Sequence, residues 1–380
     1  MIPELSSAAD VQSVLDDWVA RGQIVGGVVL VSEAGHVTTC AVSGWADREA
    51  RQPMQRDTVL RYASLTKLVV SVVALRLCEQ GLLDLDAKIT DWLPTFRPCL
   101  PDGTCPDILI RHLLSHTAGL SYGFEQPFNN PYVRAGVSDG LDCANISRDE
   151  NLARLGSVPL FFPPGTAWGY SLATDVLGAA IETACQDSLG RIAKRLVLDP
   201  LGMIDSGFPG QVRRLVAPGY WSEKSGAQRL AGTRWCAIDD GRTRISENKA
   251  RTGGLYECAG AGMIGTADGY MKLLHCLRAG GAPVLTQAST TRLVTGAIGG
   301  VPLTGRGPGW TFGLGPVVLS DPALANHSQG AGTWGWCGVH GGHYWVDPEN
   351  DLAMVALTNT GATGAWGPFA DQLVEVLYAQ

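Results

Sequence analysis

The chain has 380 residues, a formal net charge of −7 and 45% hydrophobic residues. That length is enough for a large core and favours two domains, or one domain with a large insertion. The acidic balance and the lack of a basic block argue against nucleic acid or an anionic membrane as a partner.

The location and redox state follow from two further features of the sequence. No apolar run reaches the length of a membrane span, and residues 1–5 show neither a basic start nor an apolar signal core, so we expect a cytoplasmic protein. The ten cysteines are scattered, and we expect even the neighbouring Cys99 and Cys105 to remain unpaired. No C-x-x-C or H-E-x-x-H motif occurs, so we expect no metal and no other cofactor.

The N-terminal part reads as a helix followed by a hairpin. Residues 8–21 carry apolar side chains on one helical face, and 26–32 and 36–42 read as antiparallel strands around a turn at 33–35. These elements predict the edge of a sheet covered by a helix.

The next stretch carries the chemistry. Ser64 and Lys67 are three residues apart, so a helix places the hydroxyl and the amine on one face. The following residues, 68–78, are almost wholly apolar and predict a buried helix that holds its first turn rigid. Serine becomes a nucleophile when a base removes its proton, and Lys67 is the candidate base. A second S-x-x-K, at 246–249, lies in a polar stretch without such a helix, and we expect it to have no catalytic role.

The middle of the chain is predicted to be helical and the C-terminal part to return to strands. Between 80 and 200 no convincing strand occurs, and 121–146 reads as a long irregular loop that forms a wall of the pocket. Residues 204–250 have no clear pattern. The predicted helices are 89–93, 110–120, 147–156, 172–185, 189–198, 268–277, 286–294 and 368–378, and the predicted strands are 310–319, 342–346 and 352–359.

Several stretches together resemble a known family. They are ASLTK at 63–67, QGLLDLD at 80–86, LLSHTAGL at 113–120, and the segments 254–256, 262–267 and 310–315. In this order they are similar to class C β-lactamase-related serine hydrolases, and closest to the family VIII carboxylesterases. The resemblance spans nearly the whole chain. It implies an α+β fold of the β-lactamase/transpeptidase type, with an antiparallel sheet flanked by helices in 1–80 plus 205–380 and an inserted all-helical domain at 81–204.

The resemblance also implies a second catalytic motif, Tyr-x-Asn. Here it reads Tyr170-Ser171-Leu172. We expect the phenol oxygen of Tyr170 to reach Ser64 Oγ and the Lys67 amine and to relay a proton. Leu172 replaces the usual Asn, which weakens the expectation of activity on β-lactams or peptides.

The third motif is a strand that lines the pocket, and here it resembles the Trp-Gly-Gly variant of the family VIII esterases. Trp336, Cys337 and Gly338 stand where other relatives carry a cationic Lys-Thr-Gly. The backbone N–H groups of Ser64 and Val339 would then form the oxyanion hole. We also expect substrate contacts from His340 on this segment.

Other side chains near these motifs have further candidate roles. Tyr122 and Phe124, in the 121–146 loop, are predicted substrate contacts. Arg234 or Arg244 remains a candidate for binding a substrate carboxylate. His340 is weighed as a leaving-group donor against a polar strand residue, and His343 stands beside it. His112 and His116 are predicted to cap or pack helices.

The predicted activity is hydrolysis of small, short-chain or aryl esters through an acyl-enzyme on Ser64. The partner is therefore a small-molecule ester, and the oligomeric state is left open. Three alternatives remain: an acyltransferase of the same fold, a β-lactamase or D-amino-acid peptidase that would require a carboxylate-binding cation, and a non-catalytic binding module.

Overall fold

The computed structural model describes residues 8–238 and 241–379, so the first seven residues of the predicted first domain lie outside it. Its α-helices are α1 (Ala8–Ala20), α2 (Thr66–Glu79), α3 (Ile110–Leu114), α4 (Pro131–Ala135), α5 (Arg148–Gly156), α6 (Ala173–Cys185), α7 (Leu189–Ala193), α8 (Lys249–Thr252), α9 (Ala267–Arg278), α10 (Gln287–Val294), α11 (Pro322–Ala325) and α12 (Pro368–Tyr378). Short helical turns of other types are Ala63–Leu65, Ile89–Asp91, Gly123–Glu125 and Lys194–Leu198.

The strands lie at the two ends of the chain, with a few short ones between. They are β1 (Gly26–Glu33), β2 (His36–Asp47), β3 (Gln52–Pro53), β4 (Leu60–Arg61), β5 (Tyr220–Trp221), β6 (Gln228–Arg229), β7 (Thr233–Ile238), β8 (Gly241–Ser246), β9 (Ile264–Gly265), β10 (Trp310–Phe312), β11 (Val317–Leu319), β12 (Trp334–Gly338), β13 (Gly342–Asp347), β14 (Leu352–Thr358) and β15 (Thr360–Gly361). Eight of them form one antiparallel sheet in the order β10-β11-β12-β13-β14-β1-β2-β3. The C-terminal strand β14 thus pairs with the N-terminal β1.

Both faces of this sheet are covered. Along β1, Val29 and Val31 pack toward α1 and α12, whereas Val28 and Leu30 pack into the larger core that contains α2 and α9. Side chains of a strand alternate between faces, so a run of consecutive apolar residues is what a sheet buried on both sides requires.

Helix α2 is the centre of the larger core. Eleven of its fourteen residues are buried, because it packs against α6, α7 and α10 and joins the sheet to the helices that follow it in the chain. Gly81 lies just beyond α2 and has φ of +71°, a left-handed conformation that terminates the helix. The sequence predicts this helix end. The division into domains 1–80 plus 205–380 and 81–204 stays a prediction.

The secondary structure differs most from the sequence-based expectation at three places. The helix predicted for 110–120 ends at Leu114, because His116 takes a left-handed conformation with φ of +55°. The single strand predicted for 310–319 is two paired strands, β10 and β11, around a turn in which Gly313 N–H bonds Pro316 C=O. The unassigned region 204–250 contains β5 to β8 and the start of α8.

The expectation of unpaired cysteines is wrong at one position. Cys99 and Cys105 form a disulfide, because hydrogen bonds from Leu100 N–H to Thr104 C=O and from Gly103 N–H to Leu100 C=O fold this segment into a turn. The cytoplasmic location stays a prediction, and this bond is the observation that weighs against it, since cytosolic thiols are normally kept reduced. Within the two described stretches of chain, no helix is both long and apolar enough to cross a membrane.

Candidate active site

Ser64 lies in a strained turn at the start of α2. The preceding residue, Ala63, has φ of +46°, a conformation that costs an alanine on the order of 1–3 kcal/mol. Ala63 is held there by burial in a cluster that includes Trp221 and Val339. The turn leaves Ser64 partly exposed at the wall of a cavity, while α2 continues directly into the core.

Lys67 is 2% exposed, and its three ammonium hydrogens have three acceptors. Nζ lies 3.4 Å from Ser64 Oγ, 2.9 Å from the Tyr122 hydroxyl and 2.8 Å from the Gly260 carbonyl oxygen. The predicted Ser64–Lys67 pair is therefore brought together. Neither Tyr122 nor Gly260 was expected to bind Lys67, since they lie 55 and 193 residues away in the chain.

The predicted contact of the Tyr170 phenol oxygen with Ser64 and Lys67 is not found. That oxygen accepts a hydrogen bond from Trp336 Nε1 at 3.3 Å, and the ring presents its face to Lys67, with Nζ 4.7 Å from the centroid. The Tyr122 hydroxyl takes the expected place beside the ammonium. The reason is the path of the 121–146 loop, which brings Tyr122 within 5.0 Å of the Tyr170 ring, measured between centroids.

His116 holds residues 169–171 in place through contacts of both its backbone and its side chain. Its carbonyl accepts the Gly169 N–H at 3.0 Å, its Nδ1 lies 3.1 Å from Ser171 Oγ, and its ring packs 5.0 Å from that of Tyr170. Burial, and to a smaller degree the Lys67 charge, hold the pKa of His116 well below its ordinary value. The neutral ring therefore packs against the aromatic residues, in agreement with the predicted packing role.

In front of Ser64 opens a cavity of about 770 Å³, which we call the aromatic cavity. Ser64, Tyr122, Tyr170, Cys337 and Val339 line it. Its walls are mainly aromatic and carry Phe124, Phe161, Phe162, Trp168, Trp336 and Trp366. Four of the predicted substrate contacts, Tyr122, Phe124, Trp336 and Cys337, thus lie at its surface.

The structure does not place His340 and Gly338, two of the predicted substrate contacts, at the surface of the aromatic cavity. His340 is buried beside Arg61 at a small separate cavity, and burial together with the Arg61 charge lowers the pKa of His340 to about 3. Gly338 lies behind the wall of the aromatic cavity, where a Cβ would stand 2.5 Å from Tyr62 O and 3.2 Å from Ser64 N. Glycine is needed there because β12 packs directly on the turn that carries the nucleophile.

His343 also lies away from Ser64. Its Nδ1 is 3.0 Å from the Gly364 carbonyl oxygen and its ring packs against Phe369 of α12, while burial lowers its pKa to about 4. His112 accepts the Leu109 N–H at the start of α3, which is the predicted capping role. No histidine of the described chain therefore lines the aromatic cavity, and a Ser–His pair does not form there.

The cationic residues predicted for carboxylate binding are engaged elsewhere. Arg234 pairs with Glu223, and Arg244 lies 3.8 Å from Asp142. The cation at the wall of the aromatic cavity is Arg306, whose guanidinium lies 4.5 Å from the centroid of the Trp310 ring. No sequence pattern distinguished Arg306, since it stands in a glycine-rich loop.

The aromatic cavity also holds a partly buried carboxyl group, Asp139. It accepts the Gly123 N–H at 2.8 Å and the Thr243 hydroxyl at 3.1 Å, and so ties the segment after Tyr122 to β8. Burial raises the pKa of Asp139 to about 6.

The second S-x-x-K lies outside this cavity. Ser246 ends β8, and Lys249 extends over the Tyr256 ring, with Nζ 4.9 Å from the centroid. Both residues line the small separate cavity near His340.

Comparison with known proteins identifies the class of this arrangement. A family model described as Beta-lactamase matches residues 11–376. The chain therefore belongs to the beta-lactamase family, which confirms the predicted fold.

Individual relatives narrow the activity. The chain is 40% identical to Esterase EstB of Burkholderia gladioli over 99% of this chain and 96% of that protein. It is 32% identical to Protein Rv1367c of Mycobacterium tuberculosis over 88% and 86% of the two chains. The solved structure of EstCE1, described as a hydrolase with promiscuous acyltransferase activity, has a TM-score of 0.94 at 36% identity and covers 98% of each chain. These likenesses support a serine ester hydrolase of the beta-lactamase fold.

Proposed function

We propose that the protein is a carboxylesterase that cleaves small carboxylic esters through an acyl-enzyme on Ser64, with Lys67 and Tyr170 as the proton carriers. The observation that carries this proposal is the Lys67 Nζ to Ser64 Oγ distance of 3.4 Å at the wall of the aromatic cavity. Apo distances of this kind shorten when a substrate is bound.

In the first half-reaction, Ser64 Oγ forms a bond to the ester carbonyl carbon. The neutral form of the Lys67 amine accepts its proton, and the lysine then returns a proton, by way of the Tyr170 hydroxyl, to the leaving alkoxide. The bond between the carbonyl carbon and that oxygen breaks, so an alcohol departs and the acyl group stays on Ser64. In the second, water attacks the acyl carbon, its proton follows the same path back to Ser64 Oγ, and a carboxylic acid leaves.

The negative oxygen of each tetrahedral intermediate would accept the backbone N–H groups of Ser64 and Val339. The close packing of Gly338 on the Ser64 backbone supports this assignment, because it brings the strand end at Val339 alongside the nucleophile. Val339 and Ser64 also line the same cavity.

The aromatic cavity favours apolar acyl and alcohol groups as the substrate class. Its walls offer large rigid surfaces that stack on aryl or short aliphatic groups. A β-lactamase or peptidase activity is disfavoured, because Leu172 provides no amide and the cation at the cavity wall, Arg306, packs on the Trp310 ring. Leu172 is 1% exposed and belongs to the core.

Acyl transfer is the second candidate. The likeness to EstCE1, with its described promiscuous acyltransferase activity, favours it. An alcohol or amine that binds against the aromatic walls would then replace water in the second half-reaction, with Ser64, Lys67 and Tyr170 in the same roles. The cytoplasmic location and the oligomeric state stay predictions.

The test is turnover of p-nitrophenyl butyrate by the wild type and by Ser64→Ala, with intact mass measured early in the reaction. We expect the variant to lose at least about 10³-fold in kcat and to show no butyryl adduct. Ser246→Ala is the matched control and should keep wild-type turnover.

Three outcomes of this test separate the candidates. Unchanged turnover in Ser64→Ala would refute the acyl-enzyme proposal. An adduct that persists until an alcohol or amine is added would identify the acyltransferase. A wild type that neither turns over the ester nor is labelled at Ser64 by a fluorophosphonate would identify a non-catalytic binding module.

A further inference from the structure

A carboxylate that the proposed mechanism does not use lies behind Lys67. Asp175, in the first turn of α6, is 9% exposed. Its Oδ1 accepts the Gly260 N–H at 3.3 Å, and the thiol of the buried Cys258 is a further hydrogen-bond partner of this carboxyl group. Burial of a carboxylate that has so few hydrogen bonds is costly, so this placement calls for a compensating charge.

Gly260 connects that carboxylate to the lysine. Its N–H binds Asp175, and its carbonyl oxygen accepts the Lys67 ammonium at 2.8 Å. A Cβ at this position would lie 2.5 Å from Asp175 Oδ2, 2.8 Å from the Tyr122 hydroxyl and 3.3 Å from Lys67 Nζ. Three polar atoms therefore surround a single point that only a glycine leaves open. We call Lys67, Tyr122, Asp175 and Gly260 the lysine pocket.

Lys67 and Asp175 interact electrostatically in this pocket. Burial raises the pKa of Asp175, and the positive charge of Lys67, the next largest influence, offsets only part of that rise. Opposite charges in a buried site attract each other, so the carboxylate draws the Lys67 side chain toward Gly260. The other titratable groups that interact with the carboxylate are Tyr122 and Asp139 of the 121–146 loop, and Lys249, Tyr256 and Cys258.

We propose that Asp175 is a positioning residue whose carboxylate, through the Gly260 backbone, holds the Lys67 amine beside Ser64 Oγ. This inference rests on the proposed acyl-enzyme function. Asp175 does not line the aromatic cavity, so it does not touch the substrate and acts on the reaction through Lys67.

A purely structural role makes a different prediction. A carboxylate in the first turn of a helix stabilises that helix through its dipole. Loss of such an interaction would lower the thermal stability and leave the kinetics of the folded fraction unchanged. The two roles therefore separate in kcat and in the pH–rate profile.

The decisive variant is Asp175→Asn, which keeps the shape and an acceptor for the Gly260 N–H but removes the charge. We expect kcat for p-nitrophenyl butyrate to fall about 10- to 100-fold, the effect of a lost charge-assisted contact, with KM within about twofold of wild type. We also expect the pH–rate profile of kcat to differ from that of the wild type, because the substitution removes a buried carboxylate behind the proton carriers.

The matched control is Glu257→Gln. Glu257 is a half-buried acid that accepts the Gly190 N–H at 2.6 Å, as Asp175 accepts that of Gly260, but it does not contact Lys67. Its substitution should lower the melting temperature without changing kcat or the pH profile.

A folded Asp175→Asn protein with wild-type kcat and an unmoved pH profile would overturn the inference. If Asp175→Asn does not fold, Asp175→Glu takes its place. That variant retains the charge and displaces it by one methylene. We therefore expect a reduced kcat and a pH–rate profile like that of the wild type. An unchanged kcat would equally overturn the proposal. Fluorophosphonate labelling of Ser64 in the wild type separates this failure from failure of the proposed function.

Discussion

The lysine pocket and the aromatic cavity meet at Ser64 and are built on opposite principles. In the pocket, polar groups are buried and bonded to one another, with Lys67 Nζ in contact with three oxygen atoms. In the cavity, flat aromatic side chains enclose about 770 Å³, with few charged groups. The proton carriers are thus held in one arrangement, whereas the substrate meets surfaces that impose shape and little charge.

This difference predicts which amino-acid substitutions the reaction tolerates. A polar group in a buried network has little freedom, because each lost partner leaves another group unsatisfied. An apolar wall accepts substitution as long as volume and shape are kept. We therefore expect large kinetic effects from single atoms in the pocket and graded effects on substrate choice from the cavity.

The largest expected effect concerns the two tyrosines at the boundary. Tyr170→Phe should lower kcat/KM about 10²- to 10³-fold, the usual range for loss of a general acid–base group. Tyr122→Phe should lower it only about tenfold, because burial holds the pKa of Tyr122 well above its ordinary value and keeps it a neutral partner of Lys67. Steady-state kinetics on p-nitrophenyl butyrate measure both.

Thermal melting of the two variants serves as the control for folding. A larger loss of kcat/KM in Tyr122→Phe than in Tyr170→Phe would mean that the two tyrosines have the opposite roles. It would make the Tyr122 hydroxyl, which already lies 2.9 Å from Lys67 Nζ, the proton carrier.

A smaller effect is expected at Leu172, the position where the Tyr-x-Asn motif usually has Asn. Leu172→Asn should destabilise the fold by about 1–3 kcal/mol, because it places an amide in the apolar core without a partner. It should produce no hydrolysis of a chromogenic cephalosporin. Urea unfolding and a β-lactamase assay measure the two expectations.

Leu172→Met conserves volume and provides the comparison. It should cost less than about 1.5 kcal/mol. β-lactam hydrolysis by Leu172→Asn at normal stability would show that the boundary is more polar than its burial indicates.

The smallest expected effect is a pH dependence of stability at Asp139, an acid that lines the aromatic cavity. The pKa of Asp139 is raised from 3.8 to about 6 by burial, so between these values the folded protein holds a proton that the unfolded chain has released. Its contribution to stability is therefore lost as the pH rises through that window. Asp139→Asn lacks this loss, so its melting temperature relative to wild type should be higher at pH 7 than at pH 4.5.

Asp149→Asn, which changes an exposed carboxylate, is the control and should show no such difference between the two pH values. An Asp139→Asn curve parallel to that of the wild type would mean that Asp139 is ionised in the folded protein throughout this range. The cavity would then be better solvated than its aromatic walls indicate.

Much of the fold follows from local patterns. The helix over Pro368–Tyr378 and the strands around Gly26 and Leu352 lie close to where the periodicity of apolar residues places them. The helix predicted to extend through Gly119 stops before His116. Contacts with Tyr170, Trp168 and Phe312 hold His116 in a left-handed conformation, which no helical pattern in the sequence reveals.

The residues of the candidate site also fall into two groups, those that local sequence patterns predict and those that depend on tertiary contacts. The Ser64–Lys67 pair and its rigid helix could be predicted from the sequence, because a spacing of three residues and an apolar run are local properties of the chain. The contacts of Tyr122 and Gly260 with Lys67, the position of Asp175 behind them and the burial of His340 away from the cavity depend on tertiary packing. These contacts join residues 55 to 193 positions apart, and their geometry depends on how a loop, a helix and a strand pack together.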